Sequence, residues 1–232
     1  MKIIGHLGFR KGSKGVKSKN TRMLLGKPLF VWSLEQLLEL DFLDGVCIST
    51  DDEDALDIVS KYNLIDIGVR SADLANDSAA KFNVWQDSAR KLDDRNYKFD
   101  ALLDLDCTAP LRNIADIKNA VKVFKLSDAD IVLSVTDARK NPYFNLLEEQ
   151  SDGTLKISKG DGKIFSRQSA PKVYEHVSST YLISSKYLNN GKYFNDAILK
   201  GFYMPPERSI DIDSELDWDI VKYLFEKKFN HE

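Results

Sequence analysis

Residues 2–40 read KIIGHLG, FRKGSKGVKSKNTRMLLGK, PLFVWSLEQLLEL: an apolar run of strand length, a basic loop, then a segment of helical spacing. Pro28 suits a first helical turn, and Leu29, Trp32, Leu37 and Leu40 follow it along one stripe. The same change of period recurs along the chain. Strand-length apolar runs fall at 2–8, 45–49, 66–69, 101–106, 131–136 and 180–183. Helical stripes fall between them. Residues 78–92 open on Ser78 and carry Phe82, Trp85, Ala89 and Leu92; residues 113–124 carry Ile114, Ile117, Val121 and Phe124. A last helix opens at Ser214, with Asp217 in a capping-box position. Strand and helix alternating at this cadence predict an α/β fold, a mostly parallel Rossmann-like sheet with helices on both faces. Trp32, Trp85 and Trp218 sit on the stripes, where core packing is the default role.

The chain has 232 residues, 33 basic against 36 acidic, and 43% hydrophobic residues, enough for one substantial core without staples. The reading is therefore one domain over 1–232. No apolar run reaches the roughly 20 residues of a bilayer span, and the amino terminus lacks the pattern of a secretory signal. A net charge of −3 argues against a general nucleic-acid binder. Cys47 and Cys107 lie in apolar runs and are expected as buried thiols of a cytoplasmic protein. One region breaks the cadence. Residues 141–177 are polar, with S-D-G-T and K-G-D-G turns, and predict antiparallel hairpins that pack on a sheet edge or on a second subunit, making a homodimer.

The loop after the first strand gathers Arg10, Lys11, Lys14, Lys17, Lys19 and Arg22 with no acid among them. Gly12 and Gly15 let backbone N–H groups close around an anion, and the cations neutralise phosphate oxygens. In open α/β sheets, ligands bind at the carboxyl ends of strands. The spacing fits neither the Walker loop nor G-x-G-x-x-G, so a polyphosphate site of another kind is expected. Near the other terminus, Asp211 and Asp213 stand two apart, so an extended backbone points both to one side. Paired carboxylates suit Mg²⁺ shared with substrate phosphates; a capping cluster leading into the Ser214 helix is the other reading. The segment 108–112, from Thr108 to Arg112, lies between a strand and a helix, as ligand loops and ordinary turns both do. His6, His176 and His231 form no ligand cluster, and His6 is expected to pack beside the first strand.

Several blocks in common order resemble one family. They are R-x-G-S-K-G-x-x-x-K-N at 10–20, G-K-P-L at 26–29, I-S-T-D-D at 48–52 and V-R-x-x-x-L-A-N-D at 69–77. C-T-A-P-L-R at 107–112, N-P-Y-F-N at 141–145, S-R-Q-S-A-P at 166–171 and S-I-D-I-D-S-E-x-D-W at 209–218 complete the set. Together they resemble the CMP-sialic acid synthetases and their relatives, cytidylyltransferases acting on nine- and eight-carbon 2-keto sugar acids. N-P-Y-F-N with S-R-Q-S-A-P-K-V-Y looks most like the branch acting on legionaminic-type acids. The resemblance implies a nucleotide-diphospho-sugar transferase fold and transfer of CMP from CTP to a sugar acid, with Mg²⁺ or Mn²⁺. It implies a phosphate cradle of Arg10, Ser13, Lys14 and Lys19 beside Asn20, with Arg70 and Asp77 also at the nucleotide. Asp106, Thr108, Arg112, Lys140, Arg167 and Gln168 would address the sugar acid, and Asp211 and Asp213 the metal. Arg10, Lys19 and Asp211 are the expected catalytic residues.

Three positions depart from the family pattern. Phe9-Arg10-Lys11-Gly12 replaces A-R-G-G, Asp106 stands where many members have glutamine, and Val177 replaces a position often polar. Lys11 would strain the loop or add a phosphate contact; Asp106 would make its position acceptor-only when ionised. The alternative functions are a CTP-binding dimer that has lost catalysis, or an enzyme of the CMP-Kdo type using an eight-carbon acid.

Overall fold

A computed structural model describes residues 1–229; the side chains of Arg167, Lys228 and Phe229, and all of His231, lie outside the described residues. The strands are β1 (Ile3–Gly8), β2 (Met23–Leu24), β3 (Lys27–Pro28), β4 (Gly45–Ser49), β5 (Ala101–Leu105), β6 (Ile131–Asp137), β7 (Leu147–Glu149), β8 (Leu155–Ile157), β9 (Tyr174–Ser184) and β10 (Leu199–Tyr203). The α-helices are α1 (Leu29–Leu38), α2 (Glu53–Val59), α3 (Lys81–Asp94), α4 (Ile114–Lys125), α5 (Ser185–Asn190) and α6 (Glu215–Phe229).

Six strands form the central sheet in the order β10-β6-β9-β5-β1-β4. β1 pairs in parallel with β4 and β5, and β10 with β6; β9 runs antiparallel to both β5 and β6. Period-2 alternation splits the core in two. Ile3, Leu7, Leu103, Val132 and Leu182 pack with Phe30, Leu34 and Leu37 of α1, Ala55 of α2 and Ile117 of α4. Ile4, Leu102, Ile131 and Ile183 face the other way, onto Phe82, Trp85, Ala89 and Leu92 of α3. Helices therefore cover both faces. The chain leaves β1 towards β4 and then crosses to β5 on β1's other flank, which makes the carboxyl ends of β1 and β5 a switch point.

A third cluster closes one end of the sheet. Val16 of the basic loop, Leu24, Leu29, Leu111 and Ile212 are buried with Trp218, Val221 and Phe225 of α6.

Expected and observed elements differ at four places. Residues 66–69 do not form a strand: Asp66 Oδ1 accepts from Gly68 N at 2.8 Å, Gly68 takes φ +69°, and only Ile65 bridges to Cys47. Ser78 does not cap α3, because its amide and hydroxyl both bond Asn76 Oδ1 and the helix starts at Lys81. Within 141–177 the strands are the ribbon β7–β8 and the start of β9, while K-G-D-G is a loop rather than a hairpin. The run at 180–183 is the end of the eleven-residue β9. By contrast, Asn113 and Asp116 form a capping box on α4, and Ser214 and Asp217 bond reciprocally at the start of α6. Cys47 and Cys107 are free and wholly buried, and burial pushes both thiols far up.

Arg112 is corrected by the structure from ligand contact to internal support. Its side chain is fully buried and donates to the carbonyls of Asp106 (2.7 Å), Ala109 (3.0 Å) and Ser179 (3.2 Å), and to Ser33 Oγ. Burial draws its pKa down to about 10, still charged at neutral pH. It thus fixes the loop after β5 against β9 and α1. Arg112→Ala orphans several buried carbonyls at about 1–3 kcal/mol each. The variant should lose roughly 3–5 kcal/mol of stability, read as a lowered urea midpoint; a loss below about 1 kcal/mol contradicts the supporting role.

Candidate active site

The switch point opens into a cavity of about 410 Å³. Arg10, Ser13, Lys14, Gly15, Lys19 and Asn20 from the loop after β1 line it, with Arg70 and Asp77, Lys81 and Trp85 of α3, Asp106 and Thr108 after β5, and Asp213. The basic loop and Asp213, one of the two paired acids near the carboxyl terminus, therefore meet in one cleft.

Backbone contacts bring them together. Ile212 N donates to the Thr108 carbonyl at 2.8 Å, and Lys19 Nζ donates to the Ile212 carbonyl. The same ammonium is 3.4 Å from Asp213 Oδ1. Gly15 passes so near this segment that a Cβ there would lie 2.0 Å from the Asp213 carbonyl oxygen. Gly12 has φ +79° with open space around it, so its glycine serves the turn and Gly15 serves the approach. Asn20 is buried and donates through Nδ2 to the Arg10 carbonyl at 3.1 Å, steadying the loop from inside.

Asp77 sits between two cations, forming ion pairs with Arg10 and Lys14. The Lys14 hydrogen bond and then the charges of Arg10 and Lys14 hold its carboxyl below the ordinary range. Lys11 turns aside: its N donates to Asp51 Oδ1 at 2.8 Å, its Nζ lies 3.9 Å from Asp54, and its φ is not positive. It neither strains the loop nor lines the large cavity. Arg70 is buried and donates from Nε to Ser49 Oγ (3.1 Å) and from Nη2 to Ser49 O (2.6 Å). Burial lowers its pKa, against the charges of Asp51 and Asp104.

Asp211 is half-buried and is not among the residues that line the cavity. Burial raises its pKa, and the charges of Asp213 and Asp106 add to the shift. Among the described residues no three His, Cys, Asp or Glu side chains form a metal cage. Asp217 accepts from Ser214 N and is spent on the helix start. Lys140 is exposed and does not line the cavity; Gln168 is exposed on the turn Arg167–Ser169. The side chain of Arg167 is outside the described residues.

Sequence reasoning missed a buried polar chain. His6 Nδ1 and Asp104 Oδ1 are 2.6 Å apart, His6 Nε2 is 3.0 Å from Ser88 Oγ, and Lys81 Nζ reaches Asp104 Oδ2 at 3.0 Å and Asp106 Oδ2 at 2.6 Å. For Asp104, burial opposes ionisation, but Lys81 and His6 prevail and bring its pKa to about 2. For Lys81, burial is likewise outweighed by Asp104 and Asp106, and its pKa rises. The available signal was Asp104 itself, an acid inside an apolar strand that requires a partner. Behind Lys81 and Trp85 lies a second cavity of about 360 Å³, walled by Phe82, His176, Tyr181, Lys192, Tyr193 and Phe194.

The family description that matches this chain is Cytidylyltransferase, over residues 8–216. The chain is 38% identical to post-translational flagellin modification protein B of Campylobacter coli, covering 97% of this chain and 96% of that protein. It is 37% identical to CMP-N,N'-diacetyllegionaminic acid synthase of Campylobacter jejuni, again covering 97% and 96%. Among solved structures, CMP:2-keto-3-deoxy-manno-octonic acid synthetase complexed with CTP superposes with a TM-score of 0.71 at 14% identity, covering 98% of this chain and 100% of that one. That structural likeness concerns the fold.

The two glycines of the basic loop should respond differently to substitution. Gly15→Ala should destabilise by roughly 1–3 kcal/mol, as overpacking does. Gly12→Ala should cost only the left-handed backbone, about 1–2 kcal/mol. Chemical unfolding checks the first; a Gly15→Ala midpoint equal to wild type would contradict the close approach.

Proposed function

From the membership of this chain in the cytidylyltransferase family, we propose that it transfers CMP from CTP to the anomeric hydroxyl of a legionaminic- or sialic-acid-like 2-keto-3-deoxy sugar acid. The hydroxyl oxygen attacks the α-phosphorus, an O–P bond forms, the bond to the β-phosphate breaks, and pyrophosphate leaves as the hydroxyl proton is released. The observation that carries this reading is the single cleft in which Arg10, Lys14 and Lys19 meet Asp213. Preorganised cations there suit a triphosphate and the charge that grows on it during transfer. Arg10, Ser13, Lys14 and Lys19 cradle the phosphates, Asn20 holds the loop, and Arg70 and Asp77 flank the nucleotide. Thr108 and Asp106 border the acceptor, and the aromatic cavity beyond Lys81 offers apolar walls for acyl groups. We assign Lys140, Arg167 and Gln168 to the acceptor from the resemblance alone.

Asp211 and Asp213 fit a hard divalent ion such as Mg²⁺. Asp211 carries a carboxyl burdened by burial and by two neighbouring acids, and an ion with few protein ligands completes its shell with water and phosphate. When bound, the ion supplies positive charge against the phosphate oxygens. Residues 141–177 form the proposed dimerisation arm: Leu146, Leu147, Leu155, Phe165 and Tyr174 expose apolar surface around it. No described helix is long and apolar enough to cross a membrane, and dependence on CTP supports a cytoplasmic setting.

The test is pyrophosphate release from CTP and Mg²⁺ with N,N'-diacetyllegionaminic, N-acetylneuraminic, pseudaminic and 3-deoxy-manno-octulosonic acids. Product mass should show a CMP-sugar with one of the nine-carbon acids. CTP binding without pyrophosphate release from any acid would favour the inactive-binder reading, and turnover of the eight-carbon acid alone would favour the Kdo type. Lys19→Ala should lower turnover roughly 10²-fold at saturating CTP with unchanged helix content by circular dichroism. Asp211→Asn should raise the Mg²⁺ concentration for half-maximal rate at least tenfold; an unchanged Mg²⁺ curve would remove it from the metal site.

A further inference from the structure

The chain from His6 to Asp106 ends at the wall between the two cavities, and one member of it lines both. Lys81 is the first residue of α3, and its Nζ sits 4.3 Å from the centroid of Tyr181 and 5.5 Å from that of Trp85, besides touching both carboxylates. Asp104 is wholly buried and already fixed by His6, so it serves as the anchor. Asp106 is the part the ammonium holds out towards solvent. Its two oxygens differ in engagement. Oδ2 takes the 2.6 Å bond from Lys81, whereas Oδ1 has only long contacts from Thr108, 3.4 Å from N and 3.2 Å from Oγ1. A carboxylate offers about four lone-pair positions, and three are engaged here, so the Asp106 carboxylate keeps one position, on Oδ2, for a donor in the cleft. Lysine as a mobile surface cation would not do this; here four partners fix it.

We propose that Lys81 is a positioning residue for acceptor selectivity: it holds Asp106 so that the remaining acceptor position of the carboxylate takes a hydrogen bond from a hydroxyl of the sugar acid, and the two residues act as one unit. This rests on the sugar-acid cytidylyltransferase reading. The ionised Asp106 carboxylate is acceptor-only, so an acid presenting a hydroxyl to it is favoured over one presenting a carbonyl oxygen.

The experiment is steady-state kinetics on wild type, Lys81→Met, Asp106→Asn and the double variant, with whichever acid of the panel wild type uses fastest. Each single variant should raise the acceptor KM at least fivefold and leave the KM for CTP within twofold. The double variant should match the worse single variant within twofold, because both changes act through one carboxylate. A smaller rise in either single variant, an equal rise in the CTP KM, or multiplied losses in the double variant would overturn the assignment. Should Lys81→Met not fold, Lys81→Met combined with Asp104→Asn removes both buried charges together; an acceptor KM within fivefold of wild type then overturns it. A wild type inert with every acid removes the functional reading and this assignment with it, whereas an active wild type with unmoved variants removes this assignment alone.

Discussion

The site depends on the capture of one backbone residue. Ile212 is held on its amide by Thr108 and on its carbonyl by Lys19, while its side chain is buried beside Val16 and Trp218. Charge attraction alone would not place an exposed acid reliably: the Lys19–Asp213 contact is long, and Asp213 is 78% exposed. Surface ion pairs of that kind contribute about 0–1 kcal/mol. The apolar cluster and the two backbone bonds position the segment, and the charges then act across a gap already set.

Much of this was legible in the sequence. The apolar runs at 2–8, 45–49 and 101–106 locate β1, β4 and β5, and the stripe on 113–124 locates α4, because burial writes its period directly into side-chain order. The cationic loop was readable for the same reason: an excess without acids is informative in a chain of net charge −3. Strand direction was not readable. β9 runs antiparallel, and nothing in Thr180–Ile183 distinguishes the two senses. Edge strand β10, with Leu199, Lys200 and Gly201 exposed, lacks the apolar run that announces an interior strand. Residues 66–69 looked like a strand until Asp66 and Gly68 made a turn instead.

Side-chain roles were less legible than elements. Arg112 belongs to a block that resembles a ligand loop, yet its guanidinium is spent on carbonyls within the fold. Lys81 drew no notice because a lysine at a helix start normally faces water. Its importance comes from Asp104, which arrives from a strand 23 positions away in sequence and needs a counter-charge once buried. Pair contacts of this kind leave no local period, so only the assembled sheet reveals them.

Asp77 carries a further consequence. Bridging Arg10 and Lys14, it behaves as a tethered counterion for the loop, sparing the cations mutual repulsion while no substrate is present. Under the proposed function, anion entry would then be an exchange and not a simple addition. A monovalent anion that displaces Asp77 merely swaps one negative charge for another, with little gain. On the proposed reading, a polyanion would bring several charges against the one of Asp77, so this single carboxylate would favour a triphosphate over small anions.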